Sequence, residues 1–295
     1  MAVTTKTVTG GLFKPEIMSK ELLRNFDNNS VWLDCVNRDY EGEIKNVGDT
    51  VIVNQPGDIT VRTYVKGTPM TYESPNGKQN QLVIDQQKYF AFDIEDIDEV
   101  QANIEIASKY FDRARTAISL EKDTFIATKA WAGIDTGNII TAPANGLSKD
   151  NAYGLFVQLR SALRWANALK NNGRGYDGKQ PYAIVDPDVM GIILSTDQAI
   201  HATSAGDETI RRGTVLRFAG FDIKESTNVT IDTQTPTHKI IVGTTEAISY
   251  ADQITKTRTL QDKDDFAAHC AGLYLYGAEV FQGKALAGVQ TTIAA

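Results

Sequence analysis

The sequence predicts an α+β fold whose first domain is interrupted by a second and completed near the C-terminal end. Three observations carry this reading. Residues 50–94 are rich in strand formers, one long amphipathic helix follows them, and a middle region alternates strands with helices before further strands close the chain.

At 295 residues the chain is long enough for one large or two modest domains, and it buries a core without a disulfide or metal staple. Its 30 Lys and Arg against 37 Asp and Glu give a net charge of −7. A generic nucleic-acid binder would carry the opposite surplus to neutralise phosphates. The composition excludes disorder, collagen and a disulfide scaffold. Cys35 and Cys270 lie far apart in apolar stretches and are expected as buried free thiols. No apolar run approaches the roughly 18 residues of a membrane span. Residues 1–11 are polar and Thr/Gly-rich with no secretory h-region, so an extended arm on a soluble protein made in a cytoplasm is expected.

Taken in order, Pro15 opens a short amphipathic helix with Met18, Leu22 and Phe26 one turn apart, and the apolar patch Val31-Trp32-Leu33 follows. Thr50–Val53, Ile59–Val65, Gln81–Ile84 and Lys88–Ile94 read as strands, separated by turn signals at Pro56-Gly57-Asp58, Gly67-Thr68-Pro69 and Ser74-Pro75-Asn76-Gly77. A two-stranded ribbon has little to bury on its own. Ten residues per strand carry it about 33 Å from the body, and its ordering entropy is offset only if a neighbouring copy covers it.

Val100, Ile104, Ala107, Phe111, Ala114, Ile118 and Phe125 form the apolar stripe of a long helix. Asp96 and Glu99 make its capping box and Gly133 ends it. A small-residue connector leads to a helix capped by Ser148, with Ala152, Leu155, Leu159, Leu163 and Ala166 on one face and Gly173 beyond its end. Pro181–Val185 is a short buried strand, and Asp186-Pro187 caps a helix carrying Met190, Ile193 and Leu194. Residues 196–213 read as a polar mobile loop. Strands are expected at Val215–Phe218, Phe221–Glu225, Lys239–Val242, Glu246–Ala251, Ala271–Tyr276 and Glu279–Phe281. The aromatics Phe111, Phe125 and Trp165 are expected in the core. Tyr64, Tyr72, Tyr89 and Phe90 are expected at a contact between subunits, with local packing as the alternative.

Catalytic, cofactor and metal sites are not expected. Gly173 to Gln180 resembles a phosphate-binding loop, but Gln180 stands where a Ser or Thr must hold magnesium and no helix N-terminus follows. The acids from Asp93 to Glu99 place Ile97 and Asp98 where a calcium loop needs an oxygen ligand and a glycine. His201, His238 and His269 lack partners at zinc-ligand spacing, and there is no G-x-S-x-G elbow.

The order of elements resembles the major capsid proteins of tailed bacteriophages, the Hong Kong ninety-seven type fold shared with encapsulin shells. The resemblance spans the chain. Thr50–Ile94 looks like the extended loop, residues 96–132 like the spine helix, and the run PYAIVDP at 181–187 like the axial-domain strand and helix. The run GTVLRFAGFDIKES at 213–226 is similar to the family's hairpin, and residues 238–251 and 272–280 are similar to its final strands.

The resemblance implies an N-terminal arm and short helix over residues 1–30, an extended β-hairpin loop over 50–94, a peripheral domain from 31–49, 95–145 and 252–295, and an α/β axial domain over 146–251. It implies a virion shell subunit forming hexamers and pentamers, assembled in the host bacterial cytoplasm around non-specifically packaged double-stranded DNA. Partners are then the chain itself, a portal protein and a separate scaffolding protein, since no long scaffolding segment precedes Pro15. No membrane, cofactor or enzymatic activity is expected, and no Lys–Asn cross-link. Expected intersubunit contacts are Tyr64, Lys66, Met70, Tyr72, Lys78, Tyr89 and Phe90 in the loop, with Thr7 and Phe13 in the arm. Two other readings are an encapsulin-type compartment shell and a soluble α+β enzyme.

Overall fold

The computed structural model describes residues 30–40, 50–95, 105–196, 217–228, 237–261 and 267–294, except positions 56, 58, 65, 68, 75 and 76. The expected N-terminal arm and first helix, the Asp96/Glu99 capping box and nearly all of the 196–213 loop lie outside these residues.

The fold is α+β. A six-stranded mixed sheet has the order β4 (Ile139–Ile140), β11 (Leu286–Thr291), β8 (His238–Gly243), β5 (Tyr182–Val185), β7 (Phe221–Glu225), β6 (Arg217–Phe218). β5 runs parallel to β7 and antiparallel to β8, so the sheet combines a crossover with hairpin-type pairing. All four residues of β5 are buried, as a strand covered on both faces requires. Among the described residues the α-helices are α1 (Glu105–Ala132), α2 (Ala152–Trp165) and α3 (Pro187–Leu194). Leu155, Phe156, Leu159 and Leu163 of α2 and Val189 and Ile193 of α3 join Ile184, Ile240, Val242, Leu286 and Val289 of the sheet in one core.

α3 begins as the sequence requires. Asp186 is its N-cap, accepting the Val189 N–H at 2.8 Å, with Pro187 in the first turn. The other Asp186 carboxylate oxygen meets His238 Nδ1, a buried pair tying the start of β8 to the end of β5. α2 departs from expectation at both ends. Its N-cap is Asn151, whose side chain accepts the Ser148 N–H, so Ser148 lies in the approach and does not cap. It stops at Trp165 because Asn167 turns left-handed at φ 57°, well before Gly173. Trp165 is 86% exposed and is not a core residue. It follows the buried row 152-155-159-163 by two residues, which turns it to the opposite face.

The second sheet has three strands in the order β3 (Gln86–Glu95), β10 (Ala267–Val280), β9 (Ile248–Gln261). β9 and β10 are 14 residues each, where the sequence suggested shorter pieces. Gly277 does not break β10; it sits in mid-strand, opposite Ala251. Strand β11 went unnoticed in the sequence because its small and polar residues, LAGVQT, show no alternation.

Strand β3 was grouped by the sequence with the projecting ribbon. Its ladder belongs to the body: Gln86 to Glu95 pair in register with Tyr276 to Ala267 of β10. The ribbon itself is β1 (Thr50–Gln55) with β2 (Lys78–Val83), and Ile59–Val65 forms no ladder among the described residues.

Candidate assembly surface

The β1–β2 hairpin is held at its base and bare beyond it. Thr50 pairs with Val83 and Gln55 with Lys78. Leu82 and Ile84 are buried against Ala251 and Leu275, with Tyr40, Val51 and Phe281 around them. The chain crosses β10 here at Gly277, where a Cβ would lie 2.3 Å from the Val83 carbonyl oxygen. Only glycine admits so close a crossing.

Past Gln55 and Lys78 the two arms continue without a backbone ladder among the described residues. Glu73 ties them: one oxygen accepts the Thr60 N–H at 2.6 Å and the other lies 3.4 Å from Arg62. The tip turns at Lys66-Gly67, with Gly67 at φ 94°. Exposed along this projection are Ile52, Ile59, Val61 (95% exposed), Tyr64, Met70 and Tyr72 (86%). Scattered exposed apolar residues are ordinary, whereas a row of them on an arm with no face against its own body marks a contact surface.

The residues expected at subunit contacts fall in three groups. Tyr64, Lys66, Met70, Tyr72 and Lys78 lie on the hairpin and are exposed. Tyr89 and Phe90 lie on β3. The Tyr89 side chain is exposed, but the Phe90 ring covers Gly272 of the paired strand and packs 6.1 Å from the Tyr274 ring. Thr7 and Phe13 lie outside the described residues.

Two buried charged groups fasten the segment before the hairpin, and sequence reading missed both. On α1 the row Ile118, Lys122, Ile126, Ala130 is buried, and Asp123 beside it is fully buried. One Asp123 oxygen accepts from Ser30 Oγ (2.8 Å), Val31 N (3.0 Å) and Trp32 N (2.7 Å); the other accepts from Asn228 Nδ2 at 3.0 Å. Lys122 Nζ lies 2.5 Å from Asp252 and 5.2 Å above the Tyr274 ring, and Arg38 approaches the same carboxylate at 3.6 Å. A charge on an otherwise apolar i, i+4 row is the one sequence signal that pointed to these partners.

A cleft of about 820 Å³ separates the hairpin base (Val53, Asn54, Gln55, Asn80) from the loops carrying Asp177, Lys179, Thr245 and Glu246. Thr245 Oγ1 donates to Asp177, and Gly175 N to the Lys179 carbonyl at 2.9 Å, so the Gly-rich segment is a set of bonded turns. Burial, then the neighbouring Asp177, raises the Glu246 carboxyl above its usual range against the opposing pull of Lys170. Burial pushes the Cys35 thiol up to about 11, with Lys224 opposing. Among the described residues no cluster of His, Cys, Asp and Glu is placed to hold a metal, and no helix is long and apolar enough to cross a membrane.

No protein-family model and no curated protein matches the sequence. Solved structures do match, across almost the whole chain. A chain of Mycobacterium phage Che8 superposes with TM-score 0.74 at 23% identity, covering 95% of this chain and 98% of its own. The capsid of cyanophage P-SCSP1u gives 0.75 at 15% identity, with 96% and 94% covered. The mature capsid of bacteriophage PhiM1 gives 0.69 at 14%, with 94% and 91% covered. The chain has the tailed-phage major capsid fold. The capsid fold accounts for the projecting hairpin, the long helix α1 with the three-stranded sheet, and the six-stranded sheet as parts of a single architecture, in agreement with the resemblance read from the order of elements.

Proposed function

We propose that the protein is the major capsid subunit of a tailed bacteriophage. It assembles through hexamers and pentamers into an icosahedral shell around double-stranded DNA in the host cytoplasm, with a portal and a separate scaffolding protein as partners. In this reading α1 and the three-stranded sheet form the peripheral domain and the six-stranded sheet the axial domain. Its role is structural and not enzymatic. The observation that carries the reading is the hairpin: an arm fastened, among the described residues, at its base, with Val61 and Tyr72 almost fully exposed, on a chain with a capsid fold. Covering that arm with a neighbour offsets its ordering entropy, and many such weak contacts add up in a closed shell. The net charge of −7 suits a wall that retains DNA mechanically without adhering to it.

Size-exclusion chromatography with negative-stain microscopy of the purified protein tests this. Shells, tubes or rings of five or six are expected. Replacing residues 59–74 by a short turn should leave a folded chain that no longer assembles. A wild-type protein that stays monomeric at high concentration, or a shortened hairpin that assembles unchanged, overturns the reading.

A further inference from the structure

Among the described residues the sulfur side chains are Cys35, Met70, Met190 and Cys270, and they divide sharply. Cys35, Met190 and Cys270 are 1%, 5% and 5% exposed, whereas Met70 is 67% exposed. Met190 sits on α3 in the main core with Val189 and Ile193. Met70 follows the Lys66-Gly67 turn on the hairpin, beyond Gln55 and Lys78, the last ladder pair that roots the arm in its own body. Around it on the same projection Ile59, Val61, Tyr64 and Tyr72 are exposed as well, so whatever covers the arm meets a largely apolar surface.

A thioether in water reacts with peroxides. The sulfur lone pair takes one peroxide oxygen as the O–O bond breaks. The sulfur is oxidised by two electrons, the peroxide is reduced, and its second oxygen leaves as water. The product is a sulfoxide, a polar acceptor in place of a flexible apolar group. Solvent satisfies that acceptor on a free subunit; an apolar contact surface does not.

We propose that Met70 is an oxidation site whose state decides whether a subunit can join a shell: peroxide converts it to the sulfoxide on free subunits, the oxidised hairpin no longer seats on a neighbour, and seating shields the unoxidised sulfur. This rests on the shell reading above and adds a chemical condition to it. Every subunit makes the same contact, so a modest loss at each is multiplied around a closed assembly. Sulfoxide reductases restore the thioether, which makes the exclusion reversible.

The test uses the full chain, kept dilute and unassembled, and treated with hydrogen peroxide. Peptide mass mapping should find one added oxygen at Met70 and none at Met190. The treated chain should keep its circular dichroism and give about tenfold fewer particles. Met70→Leu, which keeps the volume without the sulfur, should assemble equally with and without peroxide. Met70→Gln, which places a polar amide on the arm, should assemble as poorly as the oxidised chain with no peroxide added. Shells formed first and treated afterwards should oxidise at Met70 about tenfold more slowly than free subunits. Treated Met70→Leu that loses assembly as wild type does puts the damage elsewhere and overturns the proposal. Sulfoxide-bearing or Met70→Gln chains that assemble normally also overturn it, as does a Met70 that oxidises equally fast in shells. Each of these leaves the shell reading standing. An untreated wild-type chain that never assembles removes the shell reading and this proposal with it.

Discussion

The Asp123 carboxylate accepts the Trp32 N–H at 2.7 Å in a fully buried setting, so helix α1 holds the first turn of the described chain by a charge. Three donors from residues 30–32 share one oxygen and Asn228 takes the other. Asp123→Ala leaves these donors without a partner and should destabilise the unassembled chain by about 3 kcal/mol. Asp123→Asn keeps an acceptor for residues 30–32 and should cost less. Urea unfolding of both variants measures the difference, and equal losses would show that a neutral acceptor restores nothing and that the charge carries the interaction.

Gly277 and Gly272 both lie in β10 under a neighbour, but what presses on them differs. A Cβ at Gly277 meets backbone, the Val83 carbonyl, at 2.3 Å; one at Gly272 meets the Phe90 ring at 2.4 Å. Backbone at a crossing gives way less than a side chain. Gly277→Ala is expected to cost about 2–3 kcal/mol and loosen the hairpin base, with Gly272→Ala the milder change. Thermal melts and proteolysis between residues 50 and 84 should rank them in that order.

The turn between β6 and β7 depends on one arginine. Ala219 and Gly220 both have positive φ, 47° and 84°, as a tight hairpin requires, and Arg160 Nη1 donates to the Ala219 carbonyl at 2.8 Å. A Cβ at Gly220 would fall 1.1 Å from that same nitrogen. Gly220→Ala should therefore expel the guanidinium. Its cost and that of Arg160→Ala should sum to more than the double variant's, because both remove the same bond.

Glu246 makes stability depend on acid. Its folded pKa lies above the unfolded value of 4.5, so the folded state binds the proton more tightly there. Its contribution is then favourable below pH 4.5 and is lost as pH rises through the raised value. Glu246→Gln should be more stable than wild type at pH 7, with the advantage shrinking toward pH 4.5. An advantage independent of pH would assign the effect to packing.

Both cysteines should resist thiol reagents in the native chain. They are buried, and Cys35 in addition has its thiol pushed up to about 11, leaving little thiolate at pH 8. Labelling should reach both on denaturation; rapid native labelling of Cys35 would show that its burial is transient.

The sequence was most legible where local chemistry decides structure. Asp186-Pro187 announced α3, Gly133 the end of α1, and the period-two run Phe90, Phe92, Ile94 a strand. Pairing was less legible, since β3 alternates equally well as a ribbon arm or as a body strand, and only the ladder to β10 decides. The sequence suggests strands at Ala271–Tyr276 and Glu279–Phe281 with a gap at Gly277, and the reason a glycine lies within the continuous strand is Val83, far away in sequence. Lys122 and Asp123 were passed over on a buried row because their partners, Asp252 and residues 30–32, are assembled only by the fold. Of the candidate contact surface, the hairpin's exposure was readable from its polar middle.

β9 begins and β10 ends inside the main core, where Ile248, Tyr250, Tyr276 and Ala278 are buried, and away from it the two form one ribbon flanked by β3. Their pairing is continuous except for a single irregularity at Leu273/Tyr274. The extra residue there bends β9 and sharpens its local twist, so the outer part of the ribbon is turned relative to the part rooted in the core.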